Sequence, residues 1–203
     1  ENGRKVTDEM EITVNGKRCS RGQKMVLLAF HKPEGVVCTT DRRWNDVTVE
    51  DVLQYPTRVF SVGRLDKDSE GLLLVTNNGD IINQIMRAGN YHEKEYLVTV
   101  DKPVTEEFVE QMSRGGIPVL DARTRPCKVE KIGKYRFRII LTQGLNRQIR
   151  RMCEYLGYQV RTLKRVRIMN LTLNGLKCGA YREIQRDEWS ELKELIRDSS
   201  NET

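Results

Sequence analysis

The chain has 203 residues, 38% hydrophobic and 32% charged, with a formal net charge of +6. That is enough for one substantial domain with at most a small appendage, and no apolar run approaches the ~20 residues needed to cross a bilayer. The five cysteines (Cys19, Cys38, Cys127, Cys153, Cys178) are odd in number, widely spaced and without a C-x-x-C pair. This argues against a zinc centre or disulfide framework and for reduced thiols in the cytoplasm.

The positive charge is concentrated. Residues 134–167 hold ten Lys or Arg and one acid, Glu154, which leaves 25 cations against 28 acids, a net of −3, for the remainder. A near-neutral body with one basic segment suggests a face that binds a polyanion. The start, Glu1-Asn2-Gly3-Arg4-Lys5, has neither the apolar stretch of a signal peptide nor an initiator Met, so a processed or truncated chain is expected.

In chain order, Val6–Val14 reads as extended and ends in the turn signal Asn15-Gly16. Residues 1–23 are too few to bury a core and are expected to form an arm or the tail of a preceding domain. The main domain is expected over 24–199. Met25–Phe30 is a buried-strand run closed by Pro33 and Gly35, and Val36–Thr40 resumes it as the second arm of a hairpin. Asp46–Leu53 predicts a short helix and Arg58–Val62 a strand. A charged loop, Gly63–Gly71, then leads into the apolar strand Leu72–Val75. Gly79-Asp80 opens a helix with Ile81, Ile82, Ile85 and Met86 on one stripe, stopped at Gly89. Glu95–Val100 is strand-like, and Thr105 caps a helix that turns Phe108, Val109 and Met112 inward. Arg136–Leu141 predicts a strand. A helix capped by Asn146 follows, with Ile149, Met152, Cys153 and Leu156 inward and Gly157 as its stop. Strands within Val160–Leu173 and Tyr181–Ile184 precede a last helix from Asp187 to Arg197. Strands outnumber helices without strict alternation, so the expected class is α+β with a mixed, largely antiparallel sheet and flanking helices.

Two runs carry chemistry. The loop Gly63-Arg64-Leu65-Asp66-Lys67-Asp68-Ser69-Glu70-Gly71 crowds three acids and two cations beside a core strand, as expected where a carboxylate is held ionised at the rim of a cleft. Asp66-x-Asp68-x-Glu70-Gly71 opens like a calcium loop, but its closing position is Asn77 and a strand follows, which excludes that reading. The second run is Gly144-Leu145-Asn146-Arg147-Gln148-Ile149-Arg150-Arg151-Met152. On a helix, Arg147 and Arg150 or Arg151 would share the face opposite Ile149 and Met152 and offer guanidinium forks to phosphate or carboxylate. Tyr96 alternates into a strand, as a half-buried core ring or as a platform for an unpaired base. His31 and His92 stand alone, with no cysteine at a spacing useful for a metal or triad site, and read as structural.

Gly63-Arg64-Leu65-Asp66, Lys94-Glu95-Tyr96 and Gln148-Ile149-Arg150, in that order, resemble the ribosomal RNA pseudouridine synthases of the Rsu/Rlu type. The strings around Arg87-Ala88-Gly89-Asn90 and Asn146–Met152 look most like the large-subunit synthase F group. The resemblance runs from Lys24 to Ile184 and implies the pseudouridine synthase catalytic fold. It also makes Gly3–Lys17 look like the last strands of an S4-type RNA-binding domain. By similarity, Asp66 is the catalytic carboxylate, Tyr96 the ring stacked on the target uracil and Arg150 the cation paired with Asp66. Arg64, Leu65, Lys67, Arg147, Gln148, Ile149 and Arg151 would face RNA. The family implies no cofactor and no metal, and a large-subunit ribosomal RNA partner, with transfer RNA left open as a second substrate. The remaining expectations are a monomer with no membrane association. Two other classes stay in view: a non-catalytic RNA-binding or ribosome-assembly factor on the same fold, and a metal-dependent nuclease using Asp66, Asp68 and Glu70.

Overall fold

The computed structural model describes residues 24–38, 45–89 and 91–201. The arm expected over 1–23 lies outside the described residues. Among the described residues, thirteen strands and five helices follow in order: β1 (Leu27–Lys32), β2 (Val36–Val37), β3 (Val47–Thr48), α1 (Val49–Leu53), β4 (Phe60–Val62), β5 (Glu70–Thr76), α2 (Gly79–Ala88), β6 (Lys94–Val100), α3 (Glu106–Arg114), β7 (Pro118–Val119), β8 (Ala122–Arg123), β9 (Lys128–Gly133), β10 (Arg136–Leu141), α4 (Gln148–Tyr155), β11 (Val160–Ile168), β12 (Leu171–Thr172), β13 (Tyr181–Glu183) and α5 (Arg186–Asn201).

The main sheet runs β13-β1-β5-β11-β6-β10-β9, with β12 added to β11 and β4 to β5. Only the β5–β11 pairing is parallel within this sheet, so the expected mixed, largely antiparallel α+β architecture is what the chain adopts. The β5–β11 contact is short: two residue pairs, Lys164 with Glu70 and Arg165 with Gly71. Farther along β5, the neighbour becomes β4, through Val62 opposite Leu74 and Phe60 opposite Thr76. The sheet therefore forks beyond Arg165, and the fork opens a cleft.

Two layers of apolar packing cover β1 and β5. One face meets Ile81 and Ile85 of α2 and Trp189 and Leu192 of α5; the other meets Val49 and Leu53 of α1. The β6–β10 half packs one face on Phe108 and Met112 of α3 and Ile149 and Met152 of α4. Thr105 caps α3 through its hydroxyl and the Phe108 N–H, as expected. Met86, expected on the inward stripe of α2, is instead half exposed, because the stripe is centred on Ile81 and Ile85.

Three other expectations change. The hairpin of Met25–Phe30 with Val36–Thr40 is not formed among the described residues. Instead β1 pairs with β5 and β13, and β2 pairs in parallel with β3. The Lys32 ammonium, fully buried, donates to the carbonyls of Pro33 (2.8 Å) and Val36 (2.7 Å), and this holds the chain in a turn out of the sheet. The helix expected from Asp46 starts three residues later, at Val49, because Thr48 and Asp51 form a reciprocal capping box. The edge strand β9 has no counterpart among the expectations, since its mostly exposed residues show no apolar period.

Candidate active site

The loop between β4 and β5 is fastened from beneath. The Leu65 N–H donates to Cys38 Sγ (3.4 Å), and the same thiol donates back to the Leu65 carbonyl (3.3 Å). The Gly35 N–H donates to the Lys67 carbonyl (2.7 Å), and a turn closes from the Ser69 N–H to the Asp66 carbonyl (3.0 Å). Leu65 is thereby buried in the core under α1, while Asp66 is left half-buried at the rim of the cleft. Lys67 turns outward to Asp46 at 3.3 Å.

The start of α4 meets this loop. Arg147 occupies the position before the first helical residue with φ 50° and ψ 37°, and no side chain caps the helix, so Asn146 is not the cap expected of it. Asn146 instead accepts from Arg151 through its carbonyl (3.1 Å) and its side-chain oxygen (3.3 Å). The left-handed turn at Arg147 directs its guanidinium onto Asp68 through two bonds of 3.0 and 2.8 Å, with Asp66 Oδ2 at 3.3 Å. One turn on, Arg150 is buried. It donates to the Asp68 carbonyl (2.7 Å) and Ser69 Oγ (3.0 Å), with Asp68 Oδ1 at 3.4 Å. The cation at Asp66 is therefore Arg147, and Arg150, expected as its partner, braces the loop through Asp68 and Ser69. The exposed basic face expected of this helix is also revised, because Arg150 lies on the buried side with Gln148 and Ile149. Gln148 accepts from the Leu145 N–H (3.1 Å) and donates to Gln143 (3.2 Å), which ties the approach to α4 into a loop.

The electrostatics follow these contacts. The Arg147 hydrogen bond, opposed by partial burial and helped by the charges of Arg150 and Arg147, holds the Asp68 carboxyl below its ordinary range. Burial pulls the Lys32 ammonium down, while the nearby Asp66 and Asp68 carboxylates oppose that fall. Asp66 thus sits between an arginine at its tip and a buried lysine within electrostatic reach.

The opposite wall comes from β6 and β11. Tyr96 stands directly across from Arg165 in the β6–β11 pairing, and both line the cleft. The space measures about 460 Å³, within the range of sites that hold a small molecule. Of the expected site residues, Arg64, Leu65, Asp66, Tyr96, Arg147, Gln148, Ile149 and Arg150 all line it. Lys67 faces an adjoining recess that shares Asp66 and Arg147 with the cleft, and Arg151 borders neither space. Lys94, Ser69 and Arg165 were not anticipated as wall residues. Lys94 stands two residues before Tyr96 in β6, a spacing that puts both on one face and could have marked it, whereas Ser69 and Arg165 carry no such signal.

Away from the cleft, the fold joins residues whose spacing suggested nothing. His31 Nδ1 lies 2.8 Å from the Leu176 carbonyl and Nε2 lies 2.8 Å from Glu70. Their ligand atoms and the Cys178 thiol lie within 4.8 Å of one another. His31 is nonetheless buried and satisfied on both ring nitrogens, in keeping with a structural role.

A carboxylate beside a guanidinium, an aromatic ring on the facing strand and a basic rim form a receptor for an anionic, planar guest. The profile of the RNA pseudouridylate synthase family matches residues 26–155. The chain belongs to that family. It is 51% identical over 193 residues to the dual-specificity RNA pseudouridine synthase RluF of Escherichia coli (strain K12), covering 94% of this chain and 66% of that protein. The chain thus spans just under two thirds of that relative. It is 32% identical over 206 residues to the ribosomal large subunit pseudouridine synthase B of Bacillus subtilis (strain 168), covering 98% of this chain and 84% of that one. A pseudouridylate synthase crystal structure superposes with a TM-score of 0.75 at 30% identity, covering 84% of this chain and 74% of the other. The synthase fold expected from the motifs is therefore the fold present.

Proposed function

We propose that this synthase-family chain converts uridine to pseudouridine in large-subunit ribosomal RNA. The observation that carries the reading is that Asp66 and Tyr96, thirty positions apart and on separate strands or loops, line one cleft beneath a basic helix start. The catalytic unit is residues 24–199, and the preceding residues are the end of an S4-like RNA-binding domain. The protein works as a cytoplasmic monomer without cofactor or metal. No helix among the described residues is long and apolar enough to cross a membrane.

The reaction breaks the N1–C1′ bond, turns the uracil and joins C5 to C1′. Asp66 is the acting carboxylate. Whether it attacks the sugar, attacks the base or removes a sugar proton, it must be ionised, and Arg147 at 3.3 Å gives the carboxylate a cationic partner. Tyr96 gives the detached uracil a surface to stack on while it turns. Arg150 acts through Asp68 and Ser69 to hold the loop that presents Asp66. The target must leave its stack at a cost of a few kcal/mol, and phosphate contacts from Arg64, Lys67, Arg147 and the rest of the basic segment offset it. Leu65, Gln148 and Ile149 are buried and shape the wall more than they reach RNA.

The test is tritium release from 5-tritiated uridine in ribosomal RNA, because C5 loses its hydrogen only on isomerisation. Wild-type protein should release tritium, and Asp66→Asn should abolish release while RNA affinity is kept. Full activity in Asp66→Asn would sink the role given to Asp66. RNA binding without any release by the wild type would favour a ribosome-assembly factor. The name of the Escherichia coli relative includes dual specificity, so transfer RNA should be assayed beside ribosomal RNA.

A further inference from the structure

Two of the arginines on β11, Arg165 and Arg167, are treated by the strand in opposite ways. In a regular strand, residues two apart share one face. A bulge between them instead sets Arg165 opposite Tyr96 and Arg167 opposite Glu95, and those two neighbours point to opposite faces of β6. Arg167 then donates to Glu95 at 2.9 Å, to Glu93 at 3.0 Å and to the Met169 carbonyl at 2.8 Å.

Arg165 receives no carboxylate among the described residues. Its side chain is buried, with 7% of the residue exposed, and Nε donates to the Leu72 carbonyl at 2.9 Å. Its two terminal nitrogens have no partner among the described residues. Arg165 lines the open cleft together with Asp66 and Tyr96. Lys94, a second cation on the same wall, is held among the described residues by carbonyls alone, those of Gly89 (2.6 Å) and Thr142 (3.4 Å). Burial first, and then the charges of Arg165 and Arg125, pull its ammonium down to about 8.

Two cations buried within reach of each other and without an acid raise one another's cost, which an incoming anion would relieve. We infer that Arg165, with Lys94 beside it, is the receptor for an anionic oxygen of the target nucleotide. This rests on the reading of the cleft as the place where pseudouridine forms. The oxygen has two sources. One is the phosphodiester flanking the displaced uridine. The other is the uracil itself: when N1–C1′ breaks with the bonding pair on the base, that charge spreads to O2 and O4. C5–C1′ then forms, C5 gives up its proton and N1 gains one, so product and substrate remain isomers. A guanidinium anchored through Nε presents its remaining N–H groups in a fixed fork, suited to either oxygen and already oriented before the substrate arrives.

The experiment compares Arg165→Gln and Arg165→Lys with Arg167→Gln, a control from the same strand that removes an arginine from the other face. Each is assayed for single-turnover tritium release from 5-tritiated ribosomal RNA, RNA affinity across a salt series and thermal melting. If the partner is a uracil oxygen, Arg165→Gln slows release by about 10²-fold with affinity unchanged. If the partner is a phosphate, affinity falls and the slope of log affinity on log salt shrinks by about 0.7. Either result supports the receptor. Wild-type rate and affinity in Arg165→Gln would overturn it, as would a loss no larger than that of Arg167→Gln with melting lowered in parallel. Should Arg165→Gln not fold, Arg165→Lys, which keeps the charge and loses the fork, decides by the same readings. Failure of the wild type to release tritium would instead defeat the proposed reaction, and the affinity and salt arms would then judge Arg165 alone.

Discussion

The half of the sheet built on β1 and β5 is buried on both faces, whereas the half built on β6, β10 and β9 is buried on one. All six residues of β1 and six of the seven in β5 are buried. In β10, buried positions alternate with exposed or half-buried ones, and β9 has no fully buried residue. The two-sided half is a rigid base from which the Asp66 loop projects. The one-sided half brings Tyr96 and leaves its outer face to charge pairs such as Arg138 with Glu130. The halves meet through only the two residue pairs of β5 and β11, so the cleft lies where the sheet is least continuous.

The largest effect should come from breaking that junction. Gly71 has φ +122°, and a Cβ placed there would lie 2.2 Å from the Arg165 carbonyl oxygen. Backbone cannot yield as a side-chain tip does, so Gly71→Val should cost more than about 4 kcal/mol and show as loss of soluble, cooperatively unfolding protein. Next come alanine substitutions stepped along one strand of each half, read by urea denaturation. Leu72→Ala, Leu73→Ala and Leu74→Ala should each cost about 2–5 kcal/mol, because both faces of β5 are core. Along β10 the cost should alternate: about 3–5 kcal/mol for Phe137→Ala, about 0–1 for Arg138→Ala and about 2–5 for Ile139→Ala. Equal costs at the three β10 positions would erase the distinction between the halves.

A pH-dependent effect concerns the charge that the junction encloses. Lys94 titrates at about 8 in the folded protein and near 10.4 when unfolded. Below pH 8 both states hold the proton, and the cost of burying the ammonium is present in full. Between about pH 8 and 10.4 the unfolded chain binds a proton the native one has lost, so stability rises with pH. Lys94→Met should flatten that rise in urea midpoints measured from pH 7 to 10.5. A rise of unchanged slope in the variant would assign it to another group.

Much of this was legible in the residues. Continuous apolar runs marked the two-sided strands, Thr105 marked its helix, and three separated motifs marked the cleft before any coordinates. What stayed hidden depends on contacts across the chain. A strand pairing that joins residue 71 to residue 165 has no local signature, so the Met25–Phe30 run suggested a hairpin with its neighbour instead. β9 lacks an apolar period because it has almost nothing to bury. The resemblance implies Arg150 as the partner of Asp66, and no local pattern signals the left-handed turn that brings Arg147 there instead. The bulge that separates Arg165 from Arg167 is likewise silent in a string of alternating residues.

The thiol of Cys38, bonded both to the amide and to the carbonyl of Leu65, makes the loop vulnerable to covalent damage. A sulfur that is oxidised or alkylated has no S–H left to donate, and its added atoms must occupy space against the residue that immediately precedes Asp66. Cys38 is half-buried and lines the adjoining recess, so an electrophile of modest size can reach it. Such a reagent would displace Asp66 without touching it, which makes this cysteine a handle for thiol-directed probes of the loop.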